Sequence, residues 1–380
     1  MPIPYFDYAA TTPVDPEILP ELLSVMGPDG DFANPSASLH GAGQAAAARV
    51  EAARARVAAL LHARPRELIF TSGATESNNL AILGLAARHP GGHLVTSAIE
   101  HDAVLGPCAH LEARGWRVTR VAPDGNGQVS PAAIAAALQS DTFLVSLMHA
   151  NNETGVINDI AAVAALCRTR GIAFHVDAAQ SAGLLPLDLA RVPVDLLSLS
   201  AHKLYGPKGT GVLFLRRRPD LDLEPLMFGG GQERGHRPGT LAVHQVLGTG
   251  LACALAAAKR ESDAARIAGL RDRLQQAALE LDGVTVNGLA APRLPGHLNL
   301  SVEGVRGEVL LQALAARMAI SAGSACHAAT MTASHVLTAM GIRPELAQAS
   351  LRFSLGRFTT PAEIDFAIEV FTHTVRRLRA

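Results

Sequence analysis

The chain has 380 residues, 48% of them hydrophobic and 18% charged. That size and composition suit a large core divided between two domains and exclude a disordered chain. A net charge of −1 gives no reason to expect nucleic-acid or membrane-surface binding.

Near the start, Met1–Asp7 lacks the basic residues and apolar run of a secretory signal. No stretch reaches the roughly 20 apolar residues that a membrane-crossing helix requires. Between residues 45 and 260, short apolar runs alternate with alanine-rich helical runs. Strands are predicted at Leu68–Thr71, His93–Ser97, Arg117–Val121, Phe143–Met148, Ile172–Asp177, Leu196–Ser200 and Gly211–Leu215. Helices are predicted at Ala45–His62, Glu76–Arg88, Val104–Arg114, Pro131–Gln139 and Ile160–Arg170. The alternation predicts an α/β fold of βαβ units, with a mostly parallel sheet covered by helices on both faces. The helical pattern then runs on through 248–281, which predicts a long connector. After it, strands at Gly296–Val302 and Met318–Ser321 and helices at Gly307–Ala316 and Ser334–Met340 predict a smaller α+β domain. The expected division is 15–260 for the large domain and 261–380, joined by 1–14, for the small one. The four cysteines, Cys108, Cys167, Cys253 and Cys326, are scattered without a C-x-x-C pair. Neither a zinc site nor a disulfide framework is expected, and a reducing, cytoplasmic location fits.

Candidate chemistry collects where the strands end. The strand Leu196–Ser200 runs into His202 and Lys203, and a glycine-rich turn follows. A lysine held there can form a Schiff base with an aldehyde cofactor. Pyridoxal phosphate needs such a lysine and an acid facing its ring nitrogen. Asp177 ends the preceding strand and is that acid, acting by charge to keep the ring nitrogen protonated. Ligands of such sheets bind outside the carboxyl ends of the strands, where both residues fall. Thr71-Ser-Gly-Ala-Thr-Glu-Ser77 follows a strand and opens a helix, a pattern that suits an anion. Ala74 and Thr75 are candidates to hold the cofactor phosphate there, with Ser200 and His202 as further donors. His101 can lie over a pyridine face and move protons. Asn152 can bond the cofactor's phenolic oxygen or the substrate carboxylate, and Gln180 the former. Both amides also suit turns that cap backbone groups. Cys326 lies among small residues, in Ala319-Ile-Ser-Ala-Gly-Ser-Ala-Cys326-His-Ala-Ala. Those neighbours favour a reactive thiol over a packed one.

Taken in order, these segments resemble the cysteine desulfurases of the NifS/IscS type, in the class V aminotransferase group of pyridoxal 5'-phosphate enzymes. The similarity covers Tyr5–Pro13, Asn34–Ser36, Thr71–Asn79, Glu100-His101, Asn151–Gly155, His175–Gln180 and Ser200–Gly211. It continues through Gly229–Gly235, Gly239-Thr240, Ser321–Cys326 and Arg352–Arg357. The resemblance implies the fold type I architecture, with a seven-stranded sheet, and the conversion of L-cysteine to L-alanine. It implies that Lys203 carries the cofactor and shuttles protons, that His101 stacks on the ring, and that Asp177 and Gln180 face the ring nitrogen and phenolic oxygen. Ala74, Thr75, Ser200 and His202 would hold the phosphate. Thr240 would reach the phosphate of a neighbouring subunit, which implies a homodimer. Arg352 would bind the substrate carboxylate as a guanidinium fork, with Asn34 and Asn152 helping to place substrate or cofactor. Cys326 would take the sulfur as a persulfide and pass it to an iron–sulfur scaffold or a tRNA-thiolation protein. No resident metal is implied, although Cys326 is a candidate transient iron–sulfur ligand during transfer.

Three features depart from the family pattern. After Cys326 the chain reads His327-Ala-Ala-Thr-Met-Thr-Ala, where the family often has Thr-Ser and then an acidic-Pro pair. Pro238 replaces a usually small residue. The sequence stops at Ala380 without the tail by which housekeeping members dock a scaffold, so weaker scaffold docking is expected. Two rivals remain at this level. An aminotransferase or selenocysteine lyase on the same scaffold does not require Cys326. A non-catalytic scaffold or regulatory subunit does not require Lys203, Asp177, His101, Cys326 and Arg352 together.

Overall fold

The computed structural model describes residues 3–322 and 333–380. Its main sheet is built from β1 (Leu68–Thr71), β2 (His93–Ser97), β3 (Arg117–Val121), β4 (Thr142–Met148), β5 (Ala173–Asp177), β6 (Leu196–Ser200) and β7 (Gly211–Leu215). The spatial order is β1-β7-β6-β5-β4-β2-β3, and β7 runs opposite to the other six strands. The predicted alternation is therefore correct, with β4 and β5 each shifted by one residue at the start. β1, β2, β4, β5, β6 and β7 are buried at every position, as expected for a sheet covered on both faces. Only the edge strand β3 has exposed residues. Successive side chains part to opposite faces. Phe70, Val145 and Leu197 join one core, while Ile69, Leu144 and Leu196 join the other.

The helices α1 (Leu19–Leu23), α2 (Gly41–Leu61), α3 (Ala74–Ala86), α4 (Asp102–Glu112), α5 (Pro131–Ala137) and α6 (Ile160–Arg170) accompany this sheet. The predicted connector is α7 (Val243–Leu279), 37 residues long, or about 55 Å at 1.5 Å per residue. It crosses α2 closely because both helices present small residues. A Cβ added at Gly250 would lie 2.6 Å from the Cα of Ala53. The far half of α7 leaves the first core and contributes Ile267, Leu274 and Ala278 to a second one.

That second core is roofed by an antiparallel sheet of β8 (Val284–Val286), β9 (His297–Val302) and β10 (Ser350–Ser354). Its helices are α8 (Gly307–Ala315) and α11 (Pro361–Arg379), and Phe6 from the N-terminal segment packs among them. The short helices α9 (His335–Ala339) and α10 (Pro344–Gln348) turn back, and Val336, Leu337 and Ala347 pack into the first core. Met318–Ser321, expected as a strand, does not form one. Ala319 bridges Tyr5 in parallel and Ser321 bridges Arg352 in antiparallel fashion. A short run divided between two partners builds no continuous ladder. Among the described residues no helix is long and apolar enough to cross a membrane.

Candidate functional site

The parallel strands deliver their last residues to one edge of the main sheet, and a cavity of about 540 Å³ opens there. Lys203 lies in the 3-10 turn Ala201–Lys203 that follows β6. Its Nζ donates to the carbonyl oxygens of Ala9 and, at 2.8 Å, Ala10. Asp177 ends β5 and is buried. Its Oδ1 accepts from the Ala179 N–H at 2.9 Å and its Oδ2 from Asn78 at 2.7 Å. Two hydrogen bonds therefore aim this carboxylate before any ligand arrives. His101 is the N-cap of α4, with Nδ1 accepting from the Ala103 N–H at 3.0 Å. Burial holds its basicity below the usual histidine range, Lys203 adds to this and Asp177 opposes it.

The anion end is formed by the turn into α3. Its N-cap is Gly73, at φ 155° and ψ 179°, a conformation open in practice only to glycine. A Cβ at the facing Gly211 would sit 2.6 Å from Gly73, so both positions exclude side chains. Among the described residues no side chain caps this 13-residue helix, which leaves first-turn N–H groups for a ligand. Glu76, the acidic residue of that turn, is diverted. It accepts from the Ser72 N–H at 2.6 Å and pairs with Arg237 at 3.0 Å. Burial pushes its pKa up, but those hydrogen bonds outweigh it and hold the carboxyl below its ordinary range. Ala74, Thr75 and Ser200 all line the cavity at this end. His202 joins them, its Nδ1 3.1 Å from Thr11 Oγ1, and burial beside Lys203 and Lys208 pushes it down to about 4. It is a neutral ring at about pH 7.

Gln180 Nε2 donates to the Ala9 carbonyl at 3.0 Å, beside Lys203. Arg352, from β10, is only 2% exposed. Its Nη1 donates to the Asn152 carbonyl at 2.9 Å, its Nη2 pairs with Asp7 at 2.7 Å, and its Nε has no partner among the described residues. Ala74, Thr75, His101, Asn152, Asp177, Gln180, Ser200, His202, Lys203 and Arg352 thus share one cavity. Asn34 and Thr240 do not line it. Both are exposed, and Asn34 is engaged with the Ser36 N–H of its own turn at 2.9 Å. Cys326 lies outside the described residues.

The donor set fits a phosphorylated pyridine aldehyde. An uncapped helix start suits an anion, a buried carboxylate suits a protonated nitrogen, and a lysine amine lies between two carbonyls in the same space. The sequence alone assigns no role to Asp7, Asn78, Glu153 or His335. Asn78 has a legible signal, an amide within the apolar run of α3. Glu153 and His335 meet the cavity only through tertiary structure, and Asp7 reaches it only through Arg352.

Glu100 is fully buried behind His101, with Oε1 accepting from Ser97 Oγ at 2.5 Å and from the Met148 N–H at 2.9 Å. Its Oε2 has no partner among the described residues, and burial pushes its pKa up to about 8 from 4.5. Between those values the folded chain retains a proton that the unfolded chain has lost. Stability therefore falls as pH rises from about 4.5 to about 8 and then levels off. Glu100→Gln keeps the shape and removes the titration. Its melting temperature should decline less than that of wild type between about pH 5 and pH 8. Equal declines would show that Glu100 is ionised in the folded state.

Comparison with known proteins gives a consistent picture. The Aminotransferase class-V family model matches residues 4–366. A protein of Shewanella woodyi described as cysteine desulfurase IscS is 52% identical over 377 residues, covering 99% of this chain and 93% of that one. A solved structure titled NifS-like protein superposes with a TM-score of 0.91 at 34% identity, covering 99% of this chain and all of the other. Another, titled SspA in complex with cysteine, gives a TM-score of 0.82 at 36% identity, covering 94% of this chain and all of the other.

Proposed function

The chain belongs to the cysteine desulfurases of the aminotransferase class-V family, and on that premise we propose how its residues divide the conversion of L-cysteine to L-alanine. The enzyme is pyridoxal-phosphate dependent. The observation that carries the assignment is the meeting of Lys203, Asp177 and Arg352 around one cavity.

When bound, the cofactor supplies an electron sink for the pair left on the substrate when Cα loses its proton. The N–H groups of Ala74 and Thr75, with Ser200 and His202, hold its phosphate. Asp177, fixed by Asn78 and Ala179, keeps a proton on the ring nitrogen. Gln180 orients the phenolic oxygen. Lys203 moves the Cα proton, and His101 covers the ring and donates from Nε2. Asn152 helps to place substrate or cofactor. The Cys326 thiolate attacks the substrate sulfur. The S–S bond forms as Cβ–S breaks, and Cβ takes up a proton to become the methyl of alanine. The sum is L-cysteine plus a thiol giving L-alanine plus a persulfide, with no external oxidant or reductant. The persulfide is delivered to an acceptor protein, either an iron–sulfur scaffold or a tRNA-thiolation protein.

Arg352 holds the substrate carboxylate. Its Nη groups form a fork near Asn152, and its Nε has no partner among the described residues. Arg352→Ala should raise KM for L-cysteine about 10- to 100-fold, the loss of one or two charge-assisted hydrogen bonds. Steady-state alanine release checks this, and an unchanged KM would mean that another group holds the carboxylate.

A second copy of the chain completes the site. Thr240 reaches the phosphate held by that copy, and Asn34 helps to place substrate or cofactor there. Both lie near exposed large apolar residues in their own segments, Phe228 at 89% exposure and Leu39 at 98%. Such residues are costly to leave in water and suit an interface. The overall reading is tested by incubating purified protein with L-cysteine and a reductant. Equal release of alanine and sulfide supports it, and transamination products without sulfide would favour the aminotransferase rival.

A further inference from the structure

Two imidazoles line the cavity beside His202, and their backbone hydrogen bonds impose opposite roles on them. Nδ1 of His101 accepts from the Ala103 N–H at 3.0 Å. In the neutral ring the hydrogen therefore sits on Nε2, and His101 offers the cavity a donor. Nε2 of His335 lies 3.0 Å from the Glu100 carbonyl oxygen, which can only accept. His335 therefore carries its hydrogen on Nε2 and keeps the lone pair of Nδ1 for the cavity it lines. Its backbone is pinned as well. Ser334, the N-cap of α9, donates to Glu153 Oε2 at 2.5 Å and accepts from the Leu337 N–H at 3.2 Å.

We infer that His335 is a catalytic residue, the acceptor of the substrate's thiol proton, beside a His101 confined to donating. The inference rests on the desulfurase reading. As the sulfur leaves Cβ of L-cysteine, the C–S electron pair passes to Cβ, and a persulfide formed in its ionised state releases the S–H hydrogen as a proton. Nδ1 of His335 takes that proton, while a separate proton reaches Cβ, so charge and atoms balance. His101 could take it only by breaking its bond to Ala103. Among the described residues, the charged and titratable groups around this space are His101 and Asp102 from α4, Glu153 after β4, Asp177 from β5, His202, Lys203 and Lys208 after β6, Glu76 from α3, and Arg352 from β10.

The test uses holoenzyme with L-cysteine and a reductant, across about pH 6 to 9. Glutamine in place of His335 can still donate to the Glu100 carbonyl but has no base. His335→Gln should lower kcat about tenfold or more at pH 7, with KM within about twofold. The deficit should shrink as pH passes the ordinary thiol range near about 8.5, where the substrate arrives deprotonated. Added imidazole should restore His335→Ala. Nitrogen-15 NMR of histidine-labelled protein at about pH 8, with the variant assigning the signal, should place the hydrogen of residue 335 on Nε2. Wild-type kcat and pH profile in both variants would overturn the inference and leave the desulfurase reading intact. So would a deficit independent of pH, or a hydrogen on Nδ1. A wild-type protein that makes no alanine would instead overturn the desulfurase reading, and this inference with it.

Discussion

Lys203→Ala is expected to give a folded protein whose alanine release from L-cysteine falls at least about 10³-fold. The argument begins with position. β6 is buried throughout, and the turn at its end projects the lysine into the cavity. The carbonyls of Ala9 and Ala10 hold its Nζ at rest and leave its charge in reach of His101. Lys208 also lines the cavity, but it is exposed and lies in the loop beyond Pro207, after the chain has turned away from the strand end at Tyr205, whose φ is 66°. Truncating Lys203 returns two carbonyls to a cavity open to water, so the cost in stability should be small. Activity and the visible spectrum are measured together. A purified variant that keeps the yellow colour of a lysine-bound cofactor, or that turns over at the wild-type rate, would remove Lys203 from its role. Lys208→Ala, in contrast, should retain most of the activity.

The parts of this site legible in the sequence are those fixed by local pattern. Asp177, Ser200 and Lys203 can be read because a buried strand has a visible end and ligands gather at such ends. The turn at Gly73 can be read because an anion-binding helix start needs small residues in a row. The N-terminal segment gives no such signal. Ala9 and Ala10 act through backbone carbonyls on a lysine almost two hundred residues away, which no periodicity reports. The strand β10 is hidden for a physical reason. Ser350-Leu-Arg-Phe-Ser carries a charge at its centre, and a charged residue ordinarily marks an exposed position. Here that charge is buried because Asp7 and the Asn152 carbonyl satisfy it. The break in the strand pattern and the proposed role of Arg352 have the same cause. α11 is the opposite case. Thr360 and Glu363 form a capping box that the sequence displays openly, though no element is predicted there. Asn34 and Thr240 are exposed in the single chain, so their proposed roles depend on a surface that one copy does not contain.

Cys326→Ser is expected to retain the cofactor and lose sulfide release by at least about 100-fold. Only a thiolate is a competent nucleophile toward the substrate sulfur, and a serine hydroxyl ionises far too weakly to replace it. The other three cysteines cannot substitute. Cys108, Cys167 and Cys253 are all buried, and burial pushes each thiol up to about 12. At neutral pH they are protonated and packed among apolar side chains, with Cys167 and Cys253 in one core and Cys108 in another. Elimination therefore agrees with the small-residue setting of Cys326. None of the residues proposed to hold the cofactor is altered, so the variant should stay yellow. Two measurements decide the matter. The first is alanine and sulfide release with a reductant present. The second is mass spectrometry of the wild-type protein after brief exposure to L-cysteine without reductant, which should find one additional sulfur on the peptide containing Cys326. Full activity in the variant, or the extra sulfur on Cys108, Cys167 or Cys253, would mean that the acceptor is elsewhere. The second result would also require one of the buried thiols to become exposed and ionised during turnover, against the burial that now holds it protonated.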